Sequence, residues 1–304
     1  MDFDVIVLGD YCLDLIFTGL GSMPQLGKEI EANSLAMEPG GACNTSLALH
    51  RLGVKTAWAV EFGVDDFSQF VLNKFRAENF PEDLFIFTKK PMRKITVSLS
   101  YPEDRAFVAY YDAGDQVQVA LKGLTSRKAK MVVIPALFLG AGLQAGSLIA
   151  KTRKMDLFMD GNNSADLTIQ DPQIRTALKS VRFFSPNSKE AQRLTNLDDM
   201  EKAAKCLGEF CQTVIIKDGA NGAWCCDAGQ IYHEPAISVK AIDTTGAGDC
   251  FNAGFIKAWL DKKSIQECLK WGNIAGGLST QLPGANNYRL SSAEIEKFFN
   301  QERR

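Results

Sequence analysis

The segment Asp243-Thr-Thr-Gly-Ala-Gly-Asp249 combines the residue types an anion-handling site needs. Gly246 and Gly248 let the main chain approach a ligand closely. The apolar helical pattern that starts near Cys250 places unpaired N–H donors and a positive dipole end beside Thr245 to Gly248. Such a cradle suits a phosphate. Asp249 falls in the first turn of that helix, within reach of a hydroxyl brought up to the anion, where a carboxylate can act as general base. Taken alone, a heptad of this kind is more often an ordinary turn, with Asp249 complementing the helix dipole.

Four further elements carry polar groups next to turns. Pro39-Gly40-Gly41-Ala-Cys-Asn44 precedes a helical pattern; Gly40 and Gly41 can bring backbone donors near a polar ligand, and Asn44 offers both donor and acceptor or, equally, a helix cap. Asp14, set among Cys12, Leu13, Leu15 and Ile16, is a lone acid in apolar company and reads as a hydroxyl-binding residue or a surface turn. Ser185-Pro-Asn-Ser-Lys-Glu190 follows an apolar strand. At the carboxyl end of a parallel strand, Asn187 and Glu190 can reach hydrated magnesium, or else simply start a helix. Lys217-Asp-Gly-Ala-Asn-Gly222 ends another strand.

Other chemistries lack their signatures. There is no G-x-x-x-x-G-K-[ST] loop, no H-E-x-x-H and no G-x-S-x-G. Leu8-Gly9-Asp10 lacks the G-x-G-x-x-G of a dinucleotide site, which leaves an oxidoreductase as the most distant reading. The 8 cysteines and 2 histidines show no zinc spacing, and the cysteines read as buried thiols. With 34 basic against 36 acidic residues and no cationic stripe, nucleic acid is not expected as a partner. The longest apolar stretch, Met131 to Leu143, is interrupted by Pro135 and too short for a bilayer. The acidic start reads as a buried strand rather than an export signal, so a cytoplasmic location is expected.

The elements that must position these residues follow from periodicity. Apolar runs at Val5 to Leu8, Thr56 to Phe62, Met131 to Ile134, Leu157 to Met159, Val181 to Phe184 and Thr213 to Ile216 alternate with helical segments. This predicts an α/β fold: a doubly wound, mainly parallel sheet with helices on both faces. Between Lys94 and Tyr111 the pattern changes to alternation around Tyr101-Pro102-Glu103-Asp104, which predicts a hairpin standing apart as a small second sheet. From Gly246 onward the chain reads as mostly helical, and Ser291 and Glu294 have capping-box spacing.

Taken in order, these pieces resemble the ribokinase-like family, also called the phosphofructokinase B carbohydrate kinases. The resemblance runs from Val5 to about Ala285, and DTTGAGD followed by Phe251, Ala253 and Gly254 is its most specific part. It implies one ribokinase-like domain over 1–304, with a small β-lid built from excursions near 12–38 and 93–112. It implies ATP as phosphoryl donor, Mg2+, and K+ in a monovalent-cation loop. Asp249 then matches the catalytic base, and Gly246, Ala247 and Gly248 the anion hole with Thr245. Asp14, Gly40, Gly41 and Asn44 match the positions that grip a sugar. Asn187, Lys217, Gly219, Gly222 and Asn273 match the nucleotide side, Glu190 the magnesium position through water, and Asp243 the cation loop, with Gly284 nearby. The lid implies a homodimer.

Two departures mark the chain. The glycine element is one residue shorter than the Gly-Gly-Lys-Gly-Ala-Asn version, and Asp160-Gly-Asn162 is followed by Asn163 and Ser164 without a nearby arginine. The leading expectation is transfer of the γ-phosphate to a hydroxymethyl group of a small uncharged sugar. The alternatives are a nucleoside kinase, with Tyr11, Phe107 or Tyr110 stacking on a base, and a sugar-binding regulator without turnover. Arg93, Lys94 and Arg105 in the lid keep a phosphorylated sugar open.

Overall fold

In the computed structural model, which describes residues 2–101, 105–162 and 166–301, the chain opens with β1 (Val5–Leu8), β2 (Tyr11–Thr18) and β3 (Ser34–Gly41). Then follow α1 (Ala42–Arg51), β4 (Thr56–Phe62), α2 (Asp66–Ala77), β5 (Phe85–Phe87), β6 (Lys94–Ser100) and β7 (Arg105–Tyr111). The middle runs α3 (Gln116–Ser126), β8 (Met131–Ile134), α4 (Ala141–Thr152), β9 (Asp156–Asp160), α5 (Pro172–Lys179), β10 (Phe183–Ser185), α6 (Ser188–Thr195) and α7 (Met200–Gly208). The last third holds β11 (Thr213–Lys217), β12 (Ala223–Asp227), β13 (Gln230–Glu234), α8 (Ala247–Leu260), α9 (Ile265–Ser279) and α10 (Ser292–Gln301).

Among the described residues, nine strands form one sheet in the order β13-β12-β11-β10-β9-β8-β1-β4-β5, parallel from β11 to β5. Its central strands are buried on both faces. Val5, Val7, Met131, Val133, Phe158, Phe183 and Ile215 face the core shared with α1, α2, α8, α9 and α10. Their neighbours Ile6, Leu8, Val132, Leu157, Met159, Phe184 and Ile216 face the core shared with α3 to α7. Two-sided burial is why these strands read as unbroken apolar runs, and why the doubly wound architecture was legible.

A second sheet, β3-β2-β6-β7, joins the expected hairpin to another pair of strands. The sequence shows a turn-rich excursion before Pro39; the structure has Tyr11–Thr18 and Ser34–Gly41 paired along their whole length. Polar Asp14 and Glu38, and glycines at the end of β3, hide the alternation there. The antiparallel edge strands β12 and β13 were also not expected. Their turn residues Ala228 and Gly229 are both left-handed, which makes a tight two-residue hairpin. The turn expected at 101–104 falls largely outside the described residues, as do Asn163 and Ser164.

Local chemistry fixes the helix starts. Asp65 accepts from Ser68 N at 3.0 Å at the head of α2, and Ser264 and Glu267 close a reciprocal capping box on α9. On α10 only half of the expected box forms: Ser291 Oγ accepts from Glu294 N at 3.3 Å, while Glu294 Oε1 takes the Tyr288 hydroxyl at 2.6 Å.

The two sheets are fastened by charge. Lys94, at the start of β6, is only 1% exposed; its ammonium pairs with Asp10 beyond β1 and lies 4.9 Å over the Tyr11 ring. Gln116 donates to the other Asp10 oxygen. Removing one member of a buried pair strands the other charge. Lys94→Ala is expected to lose about 3 kcal/mol of unfolding free energy in a urea titration. A loss below about 1 kcal/mol, the ordinary value of a surface pair, would show that the pair does not fasten the sheets.

Candidate active site

The small sheet presents one face to the ends of the large one. Asp14 on β2 pairs with Glu38 on β3 and Thr96 on β6, so these three side chains share a face with Cys12, Gly40 and Tyr111. Cys12 Sγ donates to Asp14 Oδ1 at 3.1 Å. Burial pushes the Asp14 carboxyl above its ordinary range, the thiol hydrogen bond offsetting part of this and Glu38 adding to it. Gly40 has no room for a side chain: a Cβ there would stand 2.6 Å from Asp14 Cγ and 2.8 Å from Cys12 Sγ. Gly41 combines a φ of 66° with a close approach to Asp10 O, which Ala42 N uses as acceptor at 2.9 Å. These glycines therefore bring Asp14 against the strand that leads into α1.

From α1 the path leads to Asp249. Asn44 does not cap the helix, whose N-cap is Gly41 without a side-chain bond. Its Oδ1 accepts from Asn286 Nδ2 at 2.8 Å, and its side chain also hydrogen-bonds Asp249. Thr45 Oγ1 donates to Asp249 Oδ1. Asp249 occupies the first turn of α8, behind the left-handed Gly246, where a Cβ would meet Ala285 Cβ at 2.6 Å. Burial pushes its carboxyl up to about 6; Thr45 pulls it back, Asp160 raises it, and Lys217 and Asn44 lower it.

Beneath Asp249 lies a polar network at the carboxyl ends of three parallel strands. Asp160 Oδ2, at the end of β9, accepts from Lys217 Nζ and Asn252 Nδ2, both at 2.5 Å, and Asn252 Oδ1 accepts from Ser185 Oγ at 2.8 Å. The Lys217 ammonium stands beside the anion loop, 3.6 Å from where a Gly248 Cβ would lie. It meets the positive end of α8 there, so donors and charge converge on one place for an anion.

Glu190 and Asn187 form a reciprocal cap on α6, Asn187 N to Glu190 Oε2 at 2.8 Å and Glu190 N to Asn187 Oδ1 at 2.9 Å. The helix-start reading is therefore realised. Burial, with Asp160 nearby, raises the Glu190 carboxyl. Among the described residues no three His, Cys, Asp or Glu form a metal cage. The neighbouring carboxylates of Glu190 and Asp160 fit a hydrated magnesium ion that would take its other ligands from phosphate and water.

Asp243 joins two loops: Oδ1 accepts from Thr245 N at 2.9 Å and Oγ1 at 2.7 Å, and Oδ2 from Gly284 N at 2.8 Å. These bonds outweigh burial and hold its carboxyl below the ordinary range, an anionic oxygen set that fits a monovalent cation. Gly219 opens a short 3-10 turn after Lys217, and Gly222 is forced by close packing, since a Cβ would stand 2.7 Å from Ala236 N. Asn273 is buried in α9 and spends its amide on Glu234 O and Pro235 O, so it acts here as a clamp on that segment.

The structure thus links Asp14, Gly40, Gly41, Asn44, Asp249, Gly246 to Gly248, Lys217 and Glu190 by a run of close approaches and hydrogen bonds from the small sheet to the head of α8 and the ends of β9 and β11. It adds Thr45, Asp160, Ser185, Asn252 and Asn286, which sequence reasoning missed as partners. Of these, Ser185 and Asp160 were named in the sequence, the first beside Asn187 and the second in Asp160-Gly-Asn162, but neither as a partner in this network.

The fold is that of ribokinase-like proteins. The structure of Arabidopsis thaliana ribokinase complexed with ribose and ATP superposes with a TM-score of 0.81 at 20% identity, over 98% of each chain. Escherichia coli phosphofructokinase-2 in complex with potassium gives 0.78 at 21% over all of both chains. Mus musculus ribokinase is 27% identical over 300 residues, 93% of this chain and 90% of that one. The model of the pfkB family carbohydrate kinases matches residues 2–292, and the chain belongs to that family.

Gly40→Ala is expected to push Asp14 out of place and to cut turnover at low sugar concentration by roughly 100-fold, with Gly21→Ala, which meets nothing within 4 Å and has no positive φ, as the control for the added methyl. Near-wild-type kcat/KM for Gly40→Ala would remove Asp14 from the site.

Proposed function

We propose that the protein transfers the γ-phosphoryl group of ATP to the hydroxymethyl group of a small uncharged sugar. The observation that carries this is the placement of Asp249. It is held by Asn44 and Thr45 from the helix behind the glycine element, and it stands in the first turn of the helix whose N-terminus, with Lys217, receives the anion. Acceptor side and donor side meet at one carboxylate.

In the reaction, Asp14 and Asn44 orient the sugar hydroxyls, and an Asp249 oxygen takes the proton of the attacking hydroxyl. The sugar oxygen forms its bond to the γ-phosphorus as the bond to the bridging oxygen of ADP breaks. Backbone N–H groups at Thr245 to Gly248 and the Lys217 ammonium stabilise charge on the transferred group. Magnesium, held through water by Glu190 beside Asp160, would neutralise the phosphates; potassium would sit by Asp243 and steady the anion loop. The small sheet serves as lid and keeps water from competing with the sugar.

The outer face of that sheet supports a homodimer. Leu35, Met37, Val108 and Tyr110 lie opposite the Asp14 face, and all four are exposed. Eight unpaired cysteines suit the reducing cytoplasm, and among the described residues no helix is long and apolar enough to cross a membrane.

A nucleoside acceptor is the second reading, on one observation. Phe107 is 60% exposed on the face that carries Asp14, where it can stack on a base. Tyr11 is buried against Phe62 and Tyr110 lies on the outer face, so neither contributes.

Coupled ADP release with Mg-ATP over a panel of sugars, sugar phosphates and nucleosides tests the assignment. A neutral sugar is expected to give the highest kcat/KM, and nucleoside-only turnover would transfer the assignment to the second reading. Asp249→Asn should lower kcat by roughly 1,000-fold with the fold intact, the contribution of a positioned base. Retention of more than a tenth of activity would remove the base. Because the acid form of Asp249 cannot accept the proton, kcat/KM should be level above about pH 6 and fall tenfold per unit below it. A profile flat to pH 5 would contradict a base with this environment.

A further inference from the structure

The lid strand β7 opens with a cation that reaches across the cleft. Arg105 pairs with Ser100, on the face shared by Thr96 and Asp14, and its Nη1 donates to Thr245 Oγ1 at 2.8 Å. The Thr245 hydroxyl has one proton, which goes to Asp243 Oδ1 at 2.7 Å, while a lone pair takes the arginine. Asp243 Oδ2 accepts from Gly284 N, and the Arg105 charge is among the influences that keep Asp243 ionised. A single chain of hydrogen bonds therefore runs from the lid, through the first residue of the anion loop, to the loop at Gly284.

The small sheet also meets the loop at Gly284 through Asn286, which donates to Pro39 O at 3.1 Å, and Asn287, which donates to Glu38 Oε1 at 3.3 Å; Arg105 carries the contact on to Thr245. The lid is fastened at its base by Lys94 and Asp10, while the anion loop belongs to the head of α8. Left-handed Gly246 turns the chain into α8, and the segment before it is held by backbone bonds from Ala247 N to Thr244 O at 3.2 Å and Asp243 N to Thr280 O at 3.1 Å, to which the side-chain ties at Thr245 add. Holding a long arginine side chain in one rotamer carries an entropic cost, which the bond to Thr245 must offset.

We propose that Arg105 is a positioning residue that makes the anion loop depend on the lid. With the lid lowered over the acceptor, Arg105 seats Thr245 and the N–H groups behind it; with the lid raised, the tie is lost and the loop relaxes. The proposal rests on the phosphotransferase reading above. Its consequence is discrimination between acceptors, because the transfer site is complete only when a sugar has brought the lid down, so water is a poor substitute. Arg105 acts through Thr245, so its effect belongs to turnover rather than to sugar affinity.

The test measures kcat, sugar KM and sugar-independent ADP release for the wild type, Arg105→Ala, Arg105→Lys, Thr245→Val and the double variant Arg105→Ala with Thr245→Val. Hydrogen exchange is followed over 94–101, 105–111 and 243–249 with and without sugar. Arg105→Ala is expected to lower kcat roughly tenfold or more while sugar KM stays within about threefold. Sugar-independent ADP release should hold, so the ratio of sugar to water transfer falls with kcat. Arg105→Lys should restore part of kcat, because the tie to Thr245 Oγ1 uses one N–H donor, which an ammonium also supplies. The double variant should be no slower than Thr245→Val, and sugar should slow exchange at 243–249 in the wild type but not in Arg105→Ala. The proposal is overturned by effects that multiply in the double variant, by a rise in KM alone, or by sugar-induced protection that survives in Arg105→Ala. A wild type without sugar-dependent turnover would instead remove the phosphotransferase reading, and the proposal with it.

Discussion

Everything at the cleft rests on one buried carboxylate and the two donors that neutralise it. Asp160 ends β9, Lys217 ends β11, Asn252 projects from α8, and Ser185 at the end of β10 completes the set. A buried pair gains from Coulomb attraction but must recover the desolvation of both ions, which requires that remaining polar atoms find partners. Asn252 meets that need by donating to Asp160 and accepting from Ser185. The arrangement ties three strand ends to the helix that carries Asp249. It also sets the local field: Asp160 raises Asp249 and Glu190, while Lys217 lowers both.

The second constraint is the close approach of the small sheet to the large one. Gly40 and Gly41 let Asp14 and Asp10 sit against the entry to α1, and Lys94 fastens the far side through Asp10. The small sheet has one polar face with Asp14, Glu38, Thr96 and Tyr111, and an opposite face rich in Leu35, Met37 and Val108. A sheet that is apolar on one face needs another layer against which to bury it. Its position thus depends on the ion pair beneath it, on the arginine tie to Thr245 and on whatever covers its outer face.

Much of this was legible in the sequence, for a physical reason. Strands buried on both faces leave unbroken apolar runs, and the β1, β4, β8, β9 and β11 positions fall where those runs predict. Glycines forced by contact, such as Gly40 and Gly246, are legible because no other residue fits. Asp249 stood out by its place behind two glycines at a helix start. The partners were not legible: Thr45 reaches Asp249 across 204 positions and Asn286 reaches Asn44 across 242, and nothing local marks either. Strands β2 and β3 were hidden because their polar face lines the cleft, which breaks the apolar alternation that signals a strand. Asn273, which the resemblance puts on the nucleotide side, gave no local sign that its amide would donate to the backbone of Glu234 and Pro235.

The position of Asp249 also explains the degree to which its acidity is shifted. A base must be ionised at working pH, yet a carboxylate with ordinary acidity has little appetite for a hydroxyl proton. Full burial without partners would leave it protonated and useless. Here burial raises the carboxyl, and hydrogen bonds from Thr45 and Asn44 with the Lys217 charge check the rise near 6. That leaves it charged near neutrality and more basic than a solvated aspartate. Two of the restraining bonds come from α1, the helix that follows Gly40 and Gly41. In the proposed reaction, the segment that would position the sugar therefore also tunes the group that would deprotonate it. Any change in the glycine element acts on both at once, which makes acceptor binding and base strength inseparable in this fold.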